Sequence, residues 1–283
     1  MQSIPGMRAF KESGSVDIDK LLEINKRRWN EKVLANQNSP VYDVQGFLKG
    51  RSTLLPIEVM EVGPVNGKGL LHLQCHFGMD TLSWARMGAR VTGVDFSPDA
   101  IAMAKDLSER TGVPARFIES DVYDMGSKGL EKFDIIFTSY GVLCWLPDLD
   151  PWAEWISDHL RPGGFFYVID NHPFGSLIDE NCPDHFEAAY PYFSKEPMRF
   201  DDDAPMIDQG HEFRNKERYE WNHPISEVVN SLIDNGLRID FLHEFPCCFF
   251  PMHPSMVKGT DGYWYLPEAF DVPMLFSLKA TKP

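Results

Sequence analysis

The sequence predicts a doubly wound α/β fold built on a Rossmann-like, mostly parallel sheet. Short apolar strands alternate with helices between residues 69 and 170, and this alternation is typical of parallel sheets covered by helices on both faces. Hydrophobic residues make up 43% of the 283 residues, which is enough to build a full core. The predicted fold class is therefore α/β.

Each element is predicted from its apolar pattern and its flanking residues. Five strands alternate with helices and two more lie near the C-terminus, over 69–74, 90–95, 115–119, 133–138, 165–170, 237–245 and 273–280. The helices are predicted over 17–35, 80–87, 98–110, 150–160 and 226–235. Ser97 and Pro98 support the start of the third helix, because serine caps free N–H groups and proline suits the first helical position.

The chain is predicted to form one Rossmann-like domain over 61–283 with two additions. Residues 1–60 form a helical N-terminal extension, and residues 172–222 form an insertion after the fifth strand that is rich in Pro, Asp and aromatic residues. Long irregular segments in compact domains are often lids or binding loops, so both additions are candidate lids over a site. The acidic run 201–203 is interpreted as a solvated loop.

Charge and cysteine usage limit the classes of partner. The formal net charge of -15 is spread along the chain without a Lys/Arg cluster, so we expect no nucleic-acid partner. The five cysteines show neither metal-ligand spacing nor a disulfide framework, and we expect no metal site. No apolar run approaches the roughly 20 residues that span a bilayer. We therefore expect a cytoplasmic protein without a membrane partner, and the sequence does not indicate its oligomeric state.

Carboxylates follow the second and third strands, where a doubly wound sheet binds its ligands. Asp95 ends the second strand and can accept both hydroxyls of a ribose, while Phe96 can cover an adenine. The alternative is that Asp95 only caps the next helix, a role that Ser97 already fills. After the third strand, Asp121 can accept from an adenine amino group beside the backbone N–H of Val122, or can be an ordinary loop carboxylate.

The ends of the first and fourth strands are less specific. The turn after the first strand retains only Gly78 of the usual glycine positions, so it fails as a dinucleotide fingerprint. Ser139, Tyr140 and Trp145 follow the fourth strand and can wall a pocket, although such aromatic pairs also serve in core packing. Together, the successive strand ends predict a nucleoside pocket.

Over residues 67–170 the sequence resembles the class I S-adenosylmethionine-dependent methyltransferases. The family's ribose carboxylate falls on Asp95 in Val-Thr-Gly-Val-Asp-Phe-Ser, and its adenine-contacting acid falls on Asp121. Its fourth-strand signature corresponds to Phe-Asp-Ile-Ile-Phe at 133–137, and Leu-Arg-Pro-Gly-Gly at 160–164 is similar to its turn before the fifth strand. The resemblance implies S-adenosylmethionine as cofactor, a seven-stranded sheet with an antiparallel edge strand, and methylation of a small-molecule acceptor.

The first turn departs from the family pattern. Where the family has an acidic residue followed by alternating glycines, residues 72–78 are His-Leu-Gln-Cys-His-Phe-Gly. Either the turn has another shape, or Gln74 and His76 contribute contacts that glycines cannot make. We hypothesise that Asp80 replaces the missing acid in holding the methionine ammonium. The full predicted cofactor set is Gln74, Cys75, His76, Gly78, Asp80, Asp95, Phe96, Ser97, Asp121, Val122, Ser139 and Tyr140.

Methyl transfer requires an aligned acceptor and a dry site, so a catalytic base is optional. His172 and Tyr140 are the catalytic candidates, with His223 as a third possible base, although a lone histidine is more often packed or solvated. An apolar or aromatic acceptor is predicted to lie against Trp29, Tyr42, Trp145, Trp221 and His223.

Two other functions compete with this interpretation. A nicotinamide-dependent oxidoreductase would share the sheet and the acid at Asp95, but it should carry a glycine-rich first turn. A noncatalytic binding protein with a decayed cofactor turn is favoured by His72, Gln74 and His76. Retention of Asp95 and Asp121 argues against that second alternative.

Overall fold

The computed structural model describes residues 17–178, 188–201, 213–267 and 271–283. Its strands are β1 (Gly69–Leu73), β2 (Arg90–Asp95), β3 (Arg116–Glu119), β4 (Phe133–Ser139), β5 (Leu160–Asn171), β6 (Met198–Asp201), β7 (Glu217–Glu220), β8 (Arg238–Phe245), β9 (Cys247–Cys248), β10 (Val257–Lys258), β11 (Trp264–Tyr265) and β12 (Leu275–Thr281). Its α-helices are α1 (Ile18–Asn38), α2 (Val44–Leu48), α3 (Pro56–Val62), α4 (Met79–Arg86), α5 (Pro98–Thr111), α6 (Asp150–His159) and α7 (Ile225–Asp234).

The main sheet of the described ranges has seven strands in the order β3-β2-β1-β4-β5-β12-β8. β1 to β5 pair in parallel, and β12 runs antiparallel to both of its neighbours. The predicted doubly wound α/β fold is confirmed. Strand order reverses between β1 and β4, so a crevice opens above the carboxyl ends of these two strands.

The reversed strand lies inside the sheet, so its predicted edge position is wrong. β12 pairs with β5 on one side and with β8 on the other. Its residues are nearly all buried, whereas β8 alternates with exposed and charged positions such as Arg238 and Glu244. The more apolar strand takes the interior position, because an edge strand leaves one side to solvent.

The helix α1 of the N-terminal extension packs on both the domain and the insertion. It begins after Asp17, whose side chain accepts from the N–H of Lys20. The Asn25 side chain pairs with the backbone of Tyr219 in β7, donating to its carbonyl at 2.7 Å and accepting from its N–H at 2.9 Å. The Ser97 hydroxyl at the start of α5 donates to Asn30 at 2.6 Å.

Regular structure also occurs where the sequence predicted loops. In the insertion, β6 and β7 form an antiparallel hairpin. The segment between α1 and β1, for which no helix was predicted, contains α2 and α3, and the connection between β8 and β12 contains the three-stranded sheet β10-β11-β9. These elements have two to seven residues, which is too short for a periodic pattern to show. Residues 1–16 of the extension, 179–187 and 202–212 of the insertion, and thus most of the acidic run, lie outside the described residues.

The core occupies both faces of the main sheet. One face packs Leu71, Leu73 and Phe166 against α6 and α7, and the other packs Leu70 and Phe137 against Trp84 of α4. This burial supplies most of the stabilisation and fixes the strand ends that shape the crevice. Within the described ranges, none of the helices combines the length and apolar character needed to cross a membrane.

Candidate active site

A cavity of about 1020 Å³ lies at the carboxyl ends of the central strands. The turn after β1, the end of β2, the loop after β3 and the loop after β4 all line it. α1 and the connection between β8 and β12 complete its walls. Every residue of the predicted cofactor set except Ser97 lies in this lining. The Ser97 side chain instead caps α5, accepting from the N–H of Ala100 and donating to Asn30.

The turn after β1 keeps a glycine-like backbone with other residues. Gln74 and His76 have φ values of 54° and 49°, and Tyr140 at the end of β4 has 58°. These are three of the four non-glycine residues with positive φ in the described chain, and all three line the cavity. Each costs about 1–2 kcal/mol. Strained residues of this kind cluster at functional sites.

Side chains of this turn make contacts that glycines cannot. The Gln74 Nε2 donates to the carbonyl of Val142 at 2.9 Å, which ties the turn to the loop after β4. The His76 ring meets the Trp29 ring with centroids 5.4 Å apart and the Tyr42 ring at 5.7 Å. Of the two alternatives raised by the sequence, the structure supports added contacts, made by residues whose positive φ values are those that glycine favours.

Gly78 begins α4 with a φ of 78° and is fixed by packing as well as by its backbone. A Cβ at this position would lie 2.7 Å from the ring of Phe117 and 3.0 Å from Ala104. The neighbouring Cys75 is buried under the same ring cluster. The turn is therefore packed directly on α5 and β3.

The Asp95 carboxylate lies in the cavity wall and is bonded to the backbone of the first turn and of the residues that lead into α5. Its carboxylate accepts from the backbone N–H of His76 at 2.8 Å and from that of Ser97 at 2.9 Å. Burial raises the pKa of Asp95 to about 6, while these N–H donors and nearby Lys26 lower it. The carboxylate therefore shapes the first turn, and these two N–H bonds leave lone pairs of the carboxylate unused.

A buried polar chain joins the first and fourth strands to α4. The His72 Nδ1 lies 2.8 Å from the Thr81 hydroxyl, and its Nε2 lies 3.4 Å from the Ser139 hydroxyl. Ser139 in turn donates to Asp80 at 3.4 Å, and the other oxygen of Asp80 accepts from Thr53. Burial lowers the pKa of His72 to about 3, so its ring is neutral. Burial raises the pKa of Asp80.

The part of the cavity after β3, where an adenine was predicted, has fewer internal hydrogen bonds. Asp121 uses one oxygen to accept from the N–H of Tyr123 at 2.9 Å. Phe96 and Val122 stand beside it in the lining. These three side chains offer an acceptor and two apolar surfaces, which is the set predicted for a purine.

Tyr140 lines the cavity, but its hydroxyl is already bonded. It donates to Glu58 of α3 at 2.7 Å, and the Tyr140 ring packs on Phe249 at 4.4 Å between centroids. Burial raises the pKa of Tyr140 well above 10. Its hydroxyl is therefore directed at the Glu58 carboxyl group, and a catalytic role for Tyr140 stays a prediction.

The loop after β4 is held by a residue that the sequence analysis did not select. The Asp170 carboxylate at the end of β5 accepts from the backbone N–H groups of Gly141, Val142 at 3.1 Å, and Leu143 at 2.9 Å. It is buried, which raises its pKa, while these donors lower it. The strand-end rule that selected Asp95 also points to Asp170, but Asp170 supports the loop instead of facing the cavity. Glu58 had no such signal, because α3 was not predicted.

Aromatic side chains from distant segments cover the cavity. Trp29 of α1 meets Trp145 edge to face, with centroids 5.3 Å apart, and both line the cavity beside Tyr42. The Trp145 Nε1 donates to the carbonyl of Gly141 at 2.7 Å, which fixes its ring. Three of the five predicted acceptor-pocket residues are thus brought together.

The other predicted residues lie elsewhere. Trp221 and His223 are buried outside the cavity lining, where the Trp221 N–H donates to Cys144 and the His223 Nε2 bonds the carbonyl of Leu146 at 2.7 Å. They anchor the insertion, so their assignment to the acceptor pocket is wrong.

His172 is also buried outside the lining, so its assignment as a base in the cavity is wrong as well. Its Nδ1 accepts from the N–H of Phe174 at 3.1 Å, and its Nε2 lies 2.9 Å from Glu244. Burial lowers the pKa of His172 against the influence of Glu244.

The cavity fits S-adenosylmethionine in its hydrogen-bonding chemistry. The cofactor presents an ammonium group, a ribose diol and an adenine amine, which are all donors. The lining presents acceptors at Asp80, Asp95 and Asp121, and the Gln74 Oε1 is buried without a partner. Buried polar atoms are normally bonded, so an orphaned acceptor in a cavity points to a ligand donor. In the described ranges, no three His, Cys, Asp or Glu side chains cluster closely enough to hold a metal ion.

Comparison with known proteins agrees with this geometry. Residues 71–166 match the family model described as a methyltransferase domain. A ubiquinone biosynthesis O-methyltransferase of Proteus mirabilis is 25% identical over 169 residues, or 58% of this chain, and one of a Methylobacterium species is 32% identical over 105 residues, or 37% of this chain. The chain spans 60% and 41% of the lengths of these two relatives.

Solved structures show the same fold. An S-adenosylmethionine-dependent methyltransferase from Mesorhizobium loti superposes with a TM-score of 0.51 at 19% identity, covering 83% of this chain and 99% of the other. The matched range covers β2, β3, β4 and the last three residues of β1, whose carboxyl ends form the cavity. Over residues 71–166 the chain thus matches a methyltransferase domain, and its fold is shared with a solved S-adenosylmethionine-dependent methyltransferase.

Proposed function

We propose that this protein transfers a methyl group from S-adenosylmethionine to a small-molecule acceptor. One observation carries the proposal: a single cavity collects the oxygen acceptors of Asp80 at the start of α4, Asp95 at the end of β2 and Asp121 in the loop after β3. Each acceptor matches one donor group of the cofactor, and the family domain covers the same strands. A protein that binds no such cofactor would have no need to keep all three buried or half-buried carboxylates at some cost in stability.

The proposed binding mode assigns each part of the nucleoside to one strand end. Asp95 accepts from the ribose hydroxyls, Asp121 accepts from the adenine amine, and Phe96 with Val122 covers the purine faces. Gly78 and the turn before it allow close approach of the backbone. The first turn holds its shape because Asp95 accepts from the N–H of His76.

The chemistry of the chain is positioning and exclusion of water. When bound, S-adenosylmethionine supplies a methyl carbon activated by positively charged sulfur. Trp29 and Trp145 meet in the cavity wall, and Phe249 also lines the cavity. Holding an acceptor in line and removing water from it supplies much of the rate enhancement of a bimolecular reaction. The histidines His72 and His76 stay neutral, because burial lowers the pKa of each to about 3.

The acceptor is proposed to be an aromatic or otherwise apolar hydroxyl compound, methylated on oxygen in the cytoplasm. The names of the curated relatives supply the O-methyltransferase part of this proposal. Phe249, Phe250 and Trp264 in the lining support the aromatic part, because aromatic rings pack favourably on one another.

Calorimetry with the purified protein tests the proposal. We expect S-adenosylmethionine and S-adenosylhomocysteine to bind, with affinity lowered roughly tenfold in Asp121→Asn. Asp121→Asn is preferred to a change at Asp95, because Asp95 also holds the first turn. Asp99→Asn, an exposed acid in the first turn of α5, is the matched control and should bind as the wild type does.

Mass spectrometry then tests catalysis with a panel of phenols and catechols, such as 3,4-dihydroxybenzoate. A mass gain of one methyl group that needs S-adenosylmethionine is the expected result. Binding without transfer to any acceptor favours the noncatalytic alternative. Binding of a nicotinamide cofactor and of neither nucleoside ligand would overturn the proposal.

A further inference from the structure

We infer that Asp80 and the side-chain carbonyl of Gln74 together bind the α-ammonium group of the cofactor, in place of the acid that the family carries at the position of His72. The inference rests on the proposed function and deepens it. It assigns to this chain an ammonium site in which the charge comes from the start of α4 and not from the end of β1.

His72 is unable to provide the charge. Its ring is buried, with the Thr81 hydroxyl 2.8 Å from Nδ1 and the Ser139 hydroxyl 3.4 Å from Nε2. A ring bonded at both nitrogens in a dry site stays neutral and offers no attraction to a cation. Its contribution is to orient Ser139, whose hydroxyl bonds Asp80.

Asp80 has the free capacity that an ammonium requires. One carboxylate oxygen accepts from Thr53 and the other from Ser139 at 3.4 Å. Two hydroxyl donors leave about half of the roughly four lone-pair sites of a carboxylate unused. In the part of the chain that the structure describes, no Lys, Arg or His nitrogen forms an ion pair with Asp80. Arg51, the cation that acts on it electrostatically, pairs with Asp43 at 3.1 Å instead.

Gln74 supplies the second acceptor. Its Nε2 donates to the carbonyl of Val142, and this bond fixes which end of the amide is the oxygen. The Oε1 is then buried in the cavity wall without a donor. Leaving a buried carbonyl oxygen unpaired is costly, and an ammonium N–H would remove that cost. The positive φ of Gln74 is part of the backbone that holds this oxygen there.

The two acceptors fit an ammonium better than a neutral donor. A primary ammonium carries three N–H donors, and Asp80 and Gln74 each offer an acceptor on the same cavity. In the described residues, the Asp80 carboxylate has hydroxyl partners but no cationic side chain paired with it. This favours a positively charged group on the ligand. The site is therefore specific for the amine of the cofactor and not for its adenosine.

The test compares two ligands by calorimetry: S-adenosylhomocysteine and its analogue in which hydrogen replaces the α-amino group. The full-length wild-type protein should bind the amine-bearing ligand at least tenfold more tightly. In Asp80→Asn this ratio should fall below threefold, because only the amine-bearing ligand loses affinity. In Gln74→Met the ratio should also fall, by a smaller factor.

Asp121→Asn is the matched control, because it should weaken both ligands equally and leave their ratio unchanged. A wild-type ratio below threefold overturns the inference, even if Asp80→Asn does not fold. The inference is also overturned if folded Asp80→Asn still binds the amine-bearing ligand as much more tightly than its analogue as the wild-type protein does. If the wild-type protein binds neither ligand, the proposed function fails together with the inference. If it binds both ligands with similar affinity, only the inference fails and the proposed function stands.

Discussion

The indole rings of Trp29 and Trp145 meet edge to face with their centroids 5.3 Å apart, and this contact joins α1 to the loop after β4. Trp29 also contacts the His76 ring of the first turn. One side chain of the N-terminal extension thus touches two walls of the cavity. The extension is part of the site and not an appendage of the domain.

Trp29→Ala should lower the affinity for S-adenosylhomocysteine roughly three- to tenfold. Each aromatic pair contributes about 0.5–1.5 kcal/mol beyond its buried area, and the variant loses both. Trp155→Ala is the control, since Trp155 stacks on His159 within α6 outside the cavity lining. Calorimetry should show lost affinity in the first variant only; equal affinity in both would show that α1 does not shape the site.

Asp170→Asn should destabilise the fold by roughly 2–4 kcal/mol and weaken ligand binding. The carboxylate accepts from several backbone N–H groups of the loop, and an amide nitrogen placed there leaves buried donors unpaired. Urea denaturation measures the loss. The exposed Asp158→Asn of α6 should leave stability unchanged, and a similar stability for the two variants would contradict the role assigned to Asp170.

Glu58→Gln should remove a pH dependence of stability between pH 6.5 and 8. Burial raises the pKa of Glu58 from 4.5 to about 8, against hydrogen bonds from Tyr140 and Leu55. Between these values the folded protein holds a proton that the unfolded chain releases, so stability falls as pH rises, by at most about 1.4 kcal/mol per unit. The loss is complete above the folded pKa.

The pH range of this measurement begins at 6.5 because His72 and His76 affect stability below that pH. Burial lowers the pKa of each to about 3, so their effect has the opposite sign and is confined to pH below 6.5. Denaturant midpoints of wild type and Glu58→Gln, measured at pH 6.5, 7.2 and 8, should therefore diverge steadily in favour of the variant. Parallel pH profiles would show that Glu58 is ionised in the folded protein.

At position 76, glycine should be better tolerated than alanine by about 1 kcal/mol. His76 has a φ of 49°, where glycine is unstrained and alanine is not. Both changes lose the same ring contacts, so their difference isolates the backbone. The order should reverse at Lys105 inside α5, where alanine is favoured by about 1 kcal/mol. A more stable His76→Ala than His76→Gly would contradict the turn described here.

The fold and the cofactor side of the cavity could be predicted because they follow from local patterns. Strand ends in a parallel sheet meet at one edge, so Asp95, Asp121 and the turn at 74–78 were brought together as expected. The position of β12 was missed because pairing order depends on which strand is more apolar along its whole length. The charged residues spaced along β8 could have indicated that this strand, and not β12, lies at the edge of the sheet.

The acceptor side was predicted less well because it depends on contacts between distant segments. Trp29 and Trp145 lie in the cavity lining, whereas Trp221, His172 and His223 lie in buried packing and anchoring positions. A lone histidine or tryptophan carries no local information about which cavity it faces. Glu58 was missed because α3 was not predicted. Asp170 ends a strand as Asp95 does, but the sequence does not show that its carboxylate holds the loop after β4.

The binding mode can be seen directly in a crystal structure of the protein with S-adenosylhomocysteine. We expect adenosine between Phe96 and Val122, with the ribose hydroxyls on Asp95 and the α-amino nitrogen within hydrogen-bonding distance of Asp80 and the Gln74 Oε1. A ligand outside this cavity would contradict the proposed function. An amino group directed away from both Asp80 and Gln74 would contradict the inferred ammonium site.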